Sequence, residues 1–310
     1  MNNMYYLLKP FIPRAVRMAA RRIHASQLRR RSGNFWPIQA SAARAPEGWP
    51  GWPNGKKFAF VITHDVEGIR GLDKCRMLAE MDKAQGFRSS FNFVPEGEYR
   101  LTDSLRAFLA QEGFEIGVHD LHHDGSLYRS EKTFMAQAQT INQHLKAWGA
   151  VGFRAGFMFH NLEWLHSLDV SYDASTFDTD PFEPQPDGVG TIFPFWVQGN
   201  GSRGYVELPY TLPQDSTLFL VFKEKTIDVW IKKLEWVAAH GGMALMNVHP
   251  DYLNFGESKS SSEFSAELYE SFLKYVGSRY RDTCWFALPR EIAKFSAEIK
   301  PALRSDKLPE

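Results

Sequence analysis

Cysteine is nearly missing from this 310-residue chain: only Cys75 and Cys284 occur, far apart and outside any CxxC pair. That argues against a disulfide scaffold or a thiolate zinc site and suits a reducing compartment. Any metal must then be held by histidine and carboxylate. Net charge is also missing, with 36 basic residues against 36 acidic ones, so the whole molecule is not a polyelectrolyte seeking nucleic acid. No window offers about 18 uninterrupted apolar residues, which excludes an obvious membrane span. There is no GxxxxGK[ST] element and no glycine-rich phosphate loop joining a strand to a helix, which argues against a nucleotide-binding sheet. What is present is an ordinary 44% of hydrophobic residues, enough for a full-sized core.

Acid is absent from the first 38 residues, which carry Lys9, Arg14, Arg17, Arg21, Arg22, Arg29, Arg30 and Arg31. Pro10 and Pro13 interrupt this stretch, and it has no apolar run of signal-peptide type. Tyr5, Tyr6, Leu7, Leu8, Phe11 and Ile12 followed by arginines fit an anionic membrane surface, with residues 1–31 as the contact. A basic helix packed on the protein's own body or on a partner fits as well, and the Arg-rich composition also suits a transit peptide. Aromatic and basic residues are segregated, unlike a nucleic-acid groove. Residues 40–57 read as a Pro/Gly/Trp linker or a wrapping arm, so 1–57 stands apart from the unit that begins at Phe58.

From Phe58 onward, short apolar runs alternate with amphipathic segments. FAFVIT reads as a strand, Leu72–Gln85 as a helix, Ser89–Val94 as a strand, Ser104–Glu112 as a helix and Phe114–Val118 as a strand. Ser130–Trp148 is the clearest helix, with Phe134, Ala138, Ile141, Leu145 and Trp148 on one stripe; His144 beside it reads as structural. Gly152–Arg154 and Val170–Asp173 read as strands flanking a helical turn at Asn161–Ser167. Residues 174–215 are irregular and aromatic, a long lid or a pair of β-insertions, whose Phe and Trp either stack on sugar rings or pack over the domain. Then come a helix at Thr226–His240 capped by Thr226, a strand at Met243–Val248, a helix at Glu263–Tyr280, a strand at Trp285–Ala287 and a helix at Pro289–Ile299. Seven or eight such units over 58–300, with 301–310 as a tail, favour an α/β barrel.

The chemistry-bearing residues fall at the strand ends. His119, His122 and His123 lie within five residues of one another, interleaved with Asp120 and followed by Asp124. Spacing of i, i+4 lets two imidazoles meet one ion across a single turn, and His122 offers i, i+3 instead. At the end of the first strand Asp65 and Glu67 leave on the same side, with His64 and Val66 on the other. Two adjacent carboxylates repel unless a cation or a shared proton offsets them. His160, Asp178 and Asp180 lie on adjoining loops, as substrate contacts or as ordinary caps.

In order, the strand ends supply Asp65/Glu67, His119/His123, Arg154, Asp173 and His249, a set that resembles the polysaccharide deacetylase family, the NodB-homology carbohydrate esterases of family 4, over roughly residues 58–290. Glu115-Ile116-Gly117-Val118-His119 with His123 matches the family's EIGxHxxxH. Thr63-His64-Asp65-Val66-Glu67 stands where the family has Thr-Phe-Asp-Asp, one residue longer and ending in Glu, which leaves open how Asp65 and Glu67 divide their roles. Arg154-Ala155-Gly156-Phe157-Met158 keeps only the arginine of Arg-x-Pro-x-Gly.

The resemblance implies a distorted (β/α)7-8 TIM-like barrel with a basic helical N-terminal arm. It implies a divalent metal on Glu67, His119 and His123, zinc by default with cobalt, nickel or iron as alternatives. Asp65 would be the base, Arg154 its support, and His249 the acid, with Asp173 favouring its charged form. The expected activity is metal-dependent removal of an N-acetyl group from a sugar of a cell-surface polysaccharide or its lipid-linked precursor, in the cytoplasm or peripherally on the inner face of the membrane. Hydrolysis of another non-peptide C–N bond, or an inactive glycan-binding scaffold at the membrane surface, are the alternatives. The expected partner is an N-acetylated glycan or lipid-linked sugar, with no nucleic acid and no transmembrane span.

Overall fold

The elements of the computed structural model run in chain order as α1 (Arg14–Arg31), β1 (Phe58–Val66), α2 (Ile69–Ala84), β2 (Ser90–Phe93), α3 (Asp103–Gln111) and β3 (Glu115–His119). They continue as α4 (Glu131–Trp148), β4 (Gly152–Arg154), β5 (Tyr172–Asp173), β6 (Phe195–Val197), β7 (Tyr205–Glu207) and α5 (Asp228–Ala239). The last are β8 (Met243–Asn247), β9 (Leu253–Asn254), β10 (Phe264–Ser265), α6 (Ala266–Tyr280), β11 (Cys284–Phe286) and α7 (Pro289–Ile299). The structure describes residues 14–199, 203–256 and 260–300, with backbone alone for 14–20.

β1 is buried along its whole length, so its alternating side chains feed two cores. Phe58, Phe60 and Ile62 join the apolar layer beneath the helices, together with Leu78 of α2 and Phe272 of α6. Ala59 and Val61 face the interior of the curled sheet, with Met243 and Leu245 of β8, Tyr172 and Val206. β1 pairs in parallel with β8 along Ala59–Thr63, with β11 at Phe58–Phe60 and with β2 at Thr63–Val66. β2, β3, β4, β5 and β7 follow in that order, all parallel, and β6 adds antiparallel to β7. The curl returns on itself where the Thr211 and Leu212 amides donate to the Leu245 carbonyl of β8, at 3.0 and 3.1 Å. This is the mixed α/β, distorted-barrel architecture expected from the alternation.

Helix ends follow local chemistry. The Thr102 and Ser130 hydroxyls accept from backbone amides at the starts of α3 and α4, and Gly149 ends α4 in the left-handed region. Two boundaries differ from expectation. Thr226 does not cap α5; its hydroxyl donates to the Asp228 carboxylate, and the helix starts at Asp228. The segment expected as one helix from Glu263 instead pairs Phe264–Ser265 with β9, and Ser265 caps α6. The aromatic stretch 174–215 contains the β6–β7 pair, with Phe177, Phe193 and Phe195 buried, and is followed by a π-helical turn, Ser216–Val221, that the sequence pattern does not announce.

The basic helix α1 folds back onto this body. Arg22 donates to the Leu220 carbonyl through Nε and Nη2 at 3.3 and 3.1 Å, while Arg29 pairs with Glu224 at 2.6 Å and lies over Phe222. Among the described residues no helix is long and apolar enough to cross a membrane. Tyr5–Ile12, the apolar half of the expected membrane contact, and the 301–310 tail lie outside the described residues.

Candidate metal centre and active site

Strand parity decides what reaches the mouth of the curled sheet. Continuing the inward series Ala59, Val61 of β1 brings Thr63 and Asp65 to the interior face, with Glu67 just beyond the strand end. His64 falls on the outer face, where Nε2 meets Asp82 of α2 at 2.9 Å and Nδ1 meets the Val248 carbonyl at 3.0 Å. The same parity turns Asn247 and His249 inward after Met243 and Leu245, and puts Ser90 and Asn92 of β2 opposite the outward Phe91 and Phe93.

Asp65 is held by three donors. Asn92 Nδ2 reaches Oδ1 at 2.8 Å, Asn247 Nδ2 reaches Oδ2 at 2.7 Å, and Arg154 Nη1 lies 3.5 Å from Oδ2. Burial alone would raise this carboxyl, but Arg154, His119, His249 and Asn92 together hold it well below the usual carboxylate range. Gly117 makes the Asn92 contact feasible. It is the register neighbour of Asn92, and a Cβ there would come within 2.2 Å of Asn92 Oδ1. The glycine of the Glu-Ile-Gly-Val-His run therefore serves Asp65, two strands away, through Asn92.

Glu67, His119 and His123 bring one ligand atom each to within 4.8 Å of one another. His119 Nδ1 faces the Arg154 carbonyl at 3.0 Å, which can only accept, so the proton sits there and Nε2 is left with its lone pair. That Nε2 is buried and has no hydrogen-bond partner, the condition of an atom placed for an ion. Tyr252 donates to Glu67 Oε2 at 2.5 Å, leaving Oε1 at 3.4 Å from His123 Nε2 and 3.8 Å from His249 Nε2. Burial opposes the Glu67 charge, yet His249, His123 and Tyr252 hold its pKa below the ordinary value. The residues present therefore fit a divalent cation.

His123 reaches this cluster through a backbone with φ of 56°, and its ring stacks on Phe157 at 4.8 Å between centroids. Asp120, also at positive φ, pins the loop: Oδ1 accepts from the Leu121 amide and Oδ2 from the Gly156 amide. A Cβ on Gly156 would come within 2.6 Å of Asp120 Oδ2 and 2.9 Å of His123 Cδ2. His122 points away, its Nδ1 on the Glu96 carbonyl at 3.2 Å. His144 joins it there, 3.4 Å from the Glu96 carboxylate.

His249 stands on the other side of Asp65. Its Nδ1 lies 2.7 Å from Asp215 Oδ1, and its backbone amide donates to Asp215 Oδ2 at 2.8 Å. Burial disfavours the imidazolium, but Asp215 above all, then Glu67 and Asp65, raise it to about 10. Asp173, expected beside His249, is elsewhere. Its neighbours Tyr172 and Ala174 both face the interior, so alternation sends Asp173 to the opposite face. There it accepts from Ser175 at 2.7 Å and lies beside Glu207 of β7; burial raises both carboxyls.

Asp215, Asn92, Asn247 and Tyr252 were not singled out by the sequence reading. The inward parity of Asn92 and Asn247 was a usable signal; Asp215, in an irregular stretch, had none. The loop residues have partners within the protein: Asp178 pairs with buried Lys233 at 2.5 Å, Asp180 accepts from Tyr210, and His160 Nδ1 meets the Met158 carbonyl.

These groups open into a cavity of about 800 Å³, within the range of roughly 300–1,000 Å³ usual for small-molecule sites. Phe157, Phe182, Phe35 and prolines 181, 184 and 186 form its apolar walls.

No family model and no curated protein matches this chain. Solved structures do. A protein from Mycobacterium smegmatis assigned as a polysaccharide deacetylase superposes with a TM-score of 0.61 at 19% identity, over 86% of this chain and 98% of its own. The allantoinase PuuE superposes equally, TM-score 0.61 at 16% identity, over 83% of this chain and 96% of its own. The chain therefore has the fold of these proteins, the polysaccharide-deacetylase-like barrel that its strand-end motifs resemble.

Proposed function

We propose that this protein is a metal-dependent hydrolase that removes an N-acetyl group from a sugar of a cell-surface polysaccharide or of its lipid-linked precursor. The observation that carries the reading is the convergence of Glu67, His119 and His123 within 4.8 Å, beside a buried Asp65 and facing His249. A divalent ion held by these three residues supplies Lewis acidity to an acyl carbonyl and lowers the pKa of water.

The chain's own residues supply the proton transfers. Asp65, fixed by Asn92, Asn247 and Arg154, takes the proton of the attacking water. Its depressed pKa keeps it ionised at neutral pH. His249, oriented by Asp215, donates from Nε2 to the departing amine nitrogen, so that the amine leaves neutral rather than as an anion. The aromatic and proline walls suit the apolar faces of sugar rings.

The experiment is metal analysis of the purified protein together with acetate release from N-acetyl sugars. About one equivalent of divalent metal, lost with activity in His119→Ala/His123→Ala, supports the reading. Metal without acetate release, but with opening of a cyclic ureide, would move the assignment to another C–N bond. Absence of metal after incubation with zinc or cobalt would leave a glycan-binding role.

A further inference from the structure

Part of the cavity lining comes from α1. Arg21, His24, Ala25 and Leu28 all line the same space as Glu67, His119 and His123. Their spacing, i, i+3, i+4 and i+7, is one face of a helix. The neighbouring face carries Arg22 and Arg29, which tie the helix to the Leu220 carbonyl and to Glu224. Two arginines thus anchor the helix while Arg21 and His24 are presented to the cleft, and neither has a hydrogen-bond or ion-pair partner among the described residues.

Glu183 also lines this cavity and feels the Arg21 charge. It is already engaged: Tyr210 donates to it at 2.8 Å and Gln214 at 2.6 Å, and the same Tyr210 contacts Asp180. Burial raises both Glu183 and Asp180, the latter to about 8.

The geometry points to an oxyanion subsite formed by Arg21 and His24, so that the substrate of this cleft is an N-acylated sugar bearing a phosphate or carboxylate group. Its acyl end faces the Glu67–His119–His123 floor and its anionic end faces α1. This rests on the hydrolase reading for the acyl end, but the anion subsite is testable without turnover.

Full-length protein stripped of metal is titrated calorimetrically with N-acetylglucosamine, with N-acetylglucosamine 1-phosphate and with 2-acetamido-2-deoxyglucuronic acid. At least one anionic probe binds more tightly than the neutral sugar, by about tenfold for one charge-assisted contact, and the better of the two identifies phosphate or carboxylate. Arg21→Gln and His24→Gln abolish that preference and leave the neutral sugar unchanged. Arg30→Gln, on the same helix but outside the cleft, keeps it. Equal binding of all three probes, no binding of either anionic probe, or an equal loss in Arg30→Gln overturns the subsite. If the preference behaves as stated but no probe loses acetate in the zinc-loaded protein, the subsite stands and the hydrolase reading falls.

Discussion

Asp215 holds His249 twice, accepting from the ring Nδ1 at 2.7 Å and from the backbone amide at 2.8 Å. Both carboxylate oxygens contact His249, with Oδ1 also accepting from the Ser216 amide, which fixes the ring's tautomer and aims Nε2 at the cleft. Asp215→Asn is expected to lower turnover by about a hundredfold or more, the scale of a lost acid catalyst, with metal content unchanged. Asp173→Asn, on the outer face beside Glu207, is expected to leave turnover near wild type and to act on stability instead. Steady-state kinetics and urea unfolding of the two variants test this pair of outcomes.

Metal binding and proton transfer are expected to separate by mutation. His119→Ala and His123→Ala lose metal and activity together. Asp65→Asn keeps the metal and loses roughly two to four orders of magnitude in turnover. Elemental analysis beside kinetics decides; full activity in any of the three would remove that residue from the assignment.

The two glycines beside the site predict different failures. In Gly117→Ala the new methyl displaces Asn92, which has to leave Asp65, so turnover falls while metal is retained. In Gly156→Ala the methyl pushes on Asp120 and His123, so metal affinity falls, by about 10- to 100-fold as for disturbed ligand support. Competition for zinc with a chromogenic chelator distinguishes them.

The raised His249 gives a signed pH dependence in metal-free protein. Its folded value of about 10 exceeds the ordinary 6.5, so the folded state binds the proton more tightly. The stabilisation is complete below about pH 6.5 and is lost as pH climbs towards 10. Asp65 and Glu67 act with opposite sign: their pKa values are lowered, so their contribution is present at neutral pH and is lost as pH falls through the acidic range. Urea midpoints at pH 6 and pH 9.5 should drop for the wild type and differ much less in Asp215→Asn. An unchanged slope in that variant would remove His249 as the source.

Much of the fold could be read from periodicity, because each strand is short, buried and bounded by turn residues. β4 and α7 fall where the sequence puts them, and α4 differs by one residue at its start. The Glu67–His119–His123 set was implied by the family resemblance, whereas residue spacing alone left Asp65 or Glu67, and His122 or His123, open as ligands. The partner of His249 was not legible. Asp173 and Asp215 look alike in sequence, and only the inward turn of Tyr172 and Ala174 shows that Asp173 faces away. Nor does a linear pattern show that α1, beyond the span of the family resemblance, returns to wall the cleft.

The position of β1 between β2 and β8 sets the order in which competence arrives during synthesis. Asp65 and Glu67 emerge early from the ribosome, and His119, His123 and Arg154 soon follow. Asn247, His249 and Tyr252 belong to a segment made some 180 residues after Asp65, and pairings so distant in sequence form slowly. A nascent or truncated chain that ends before β8 therefore carries the proposed ligands and base without the proposed acid. On the proposed reading, hydrolytic competence is withheld until the barrel has nearly all of its strands.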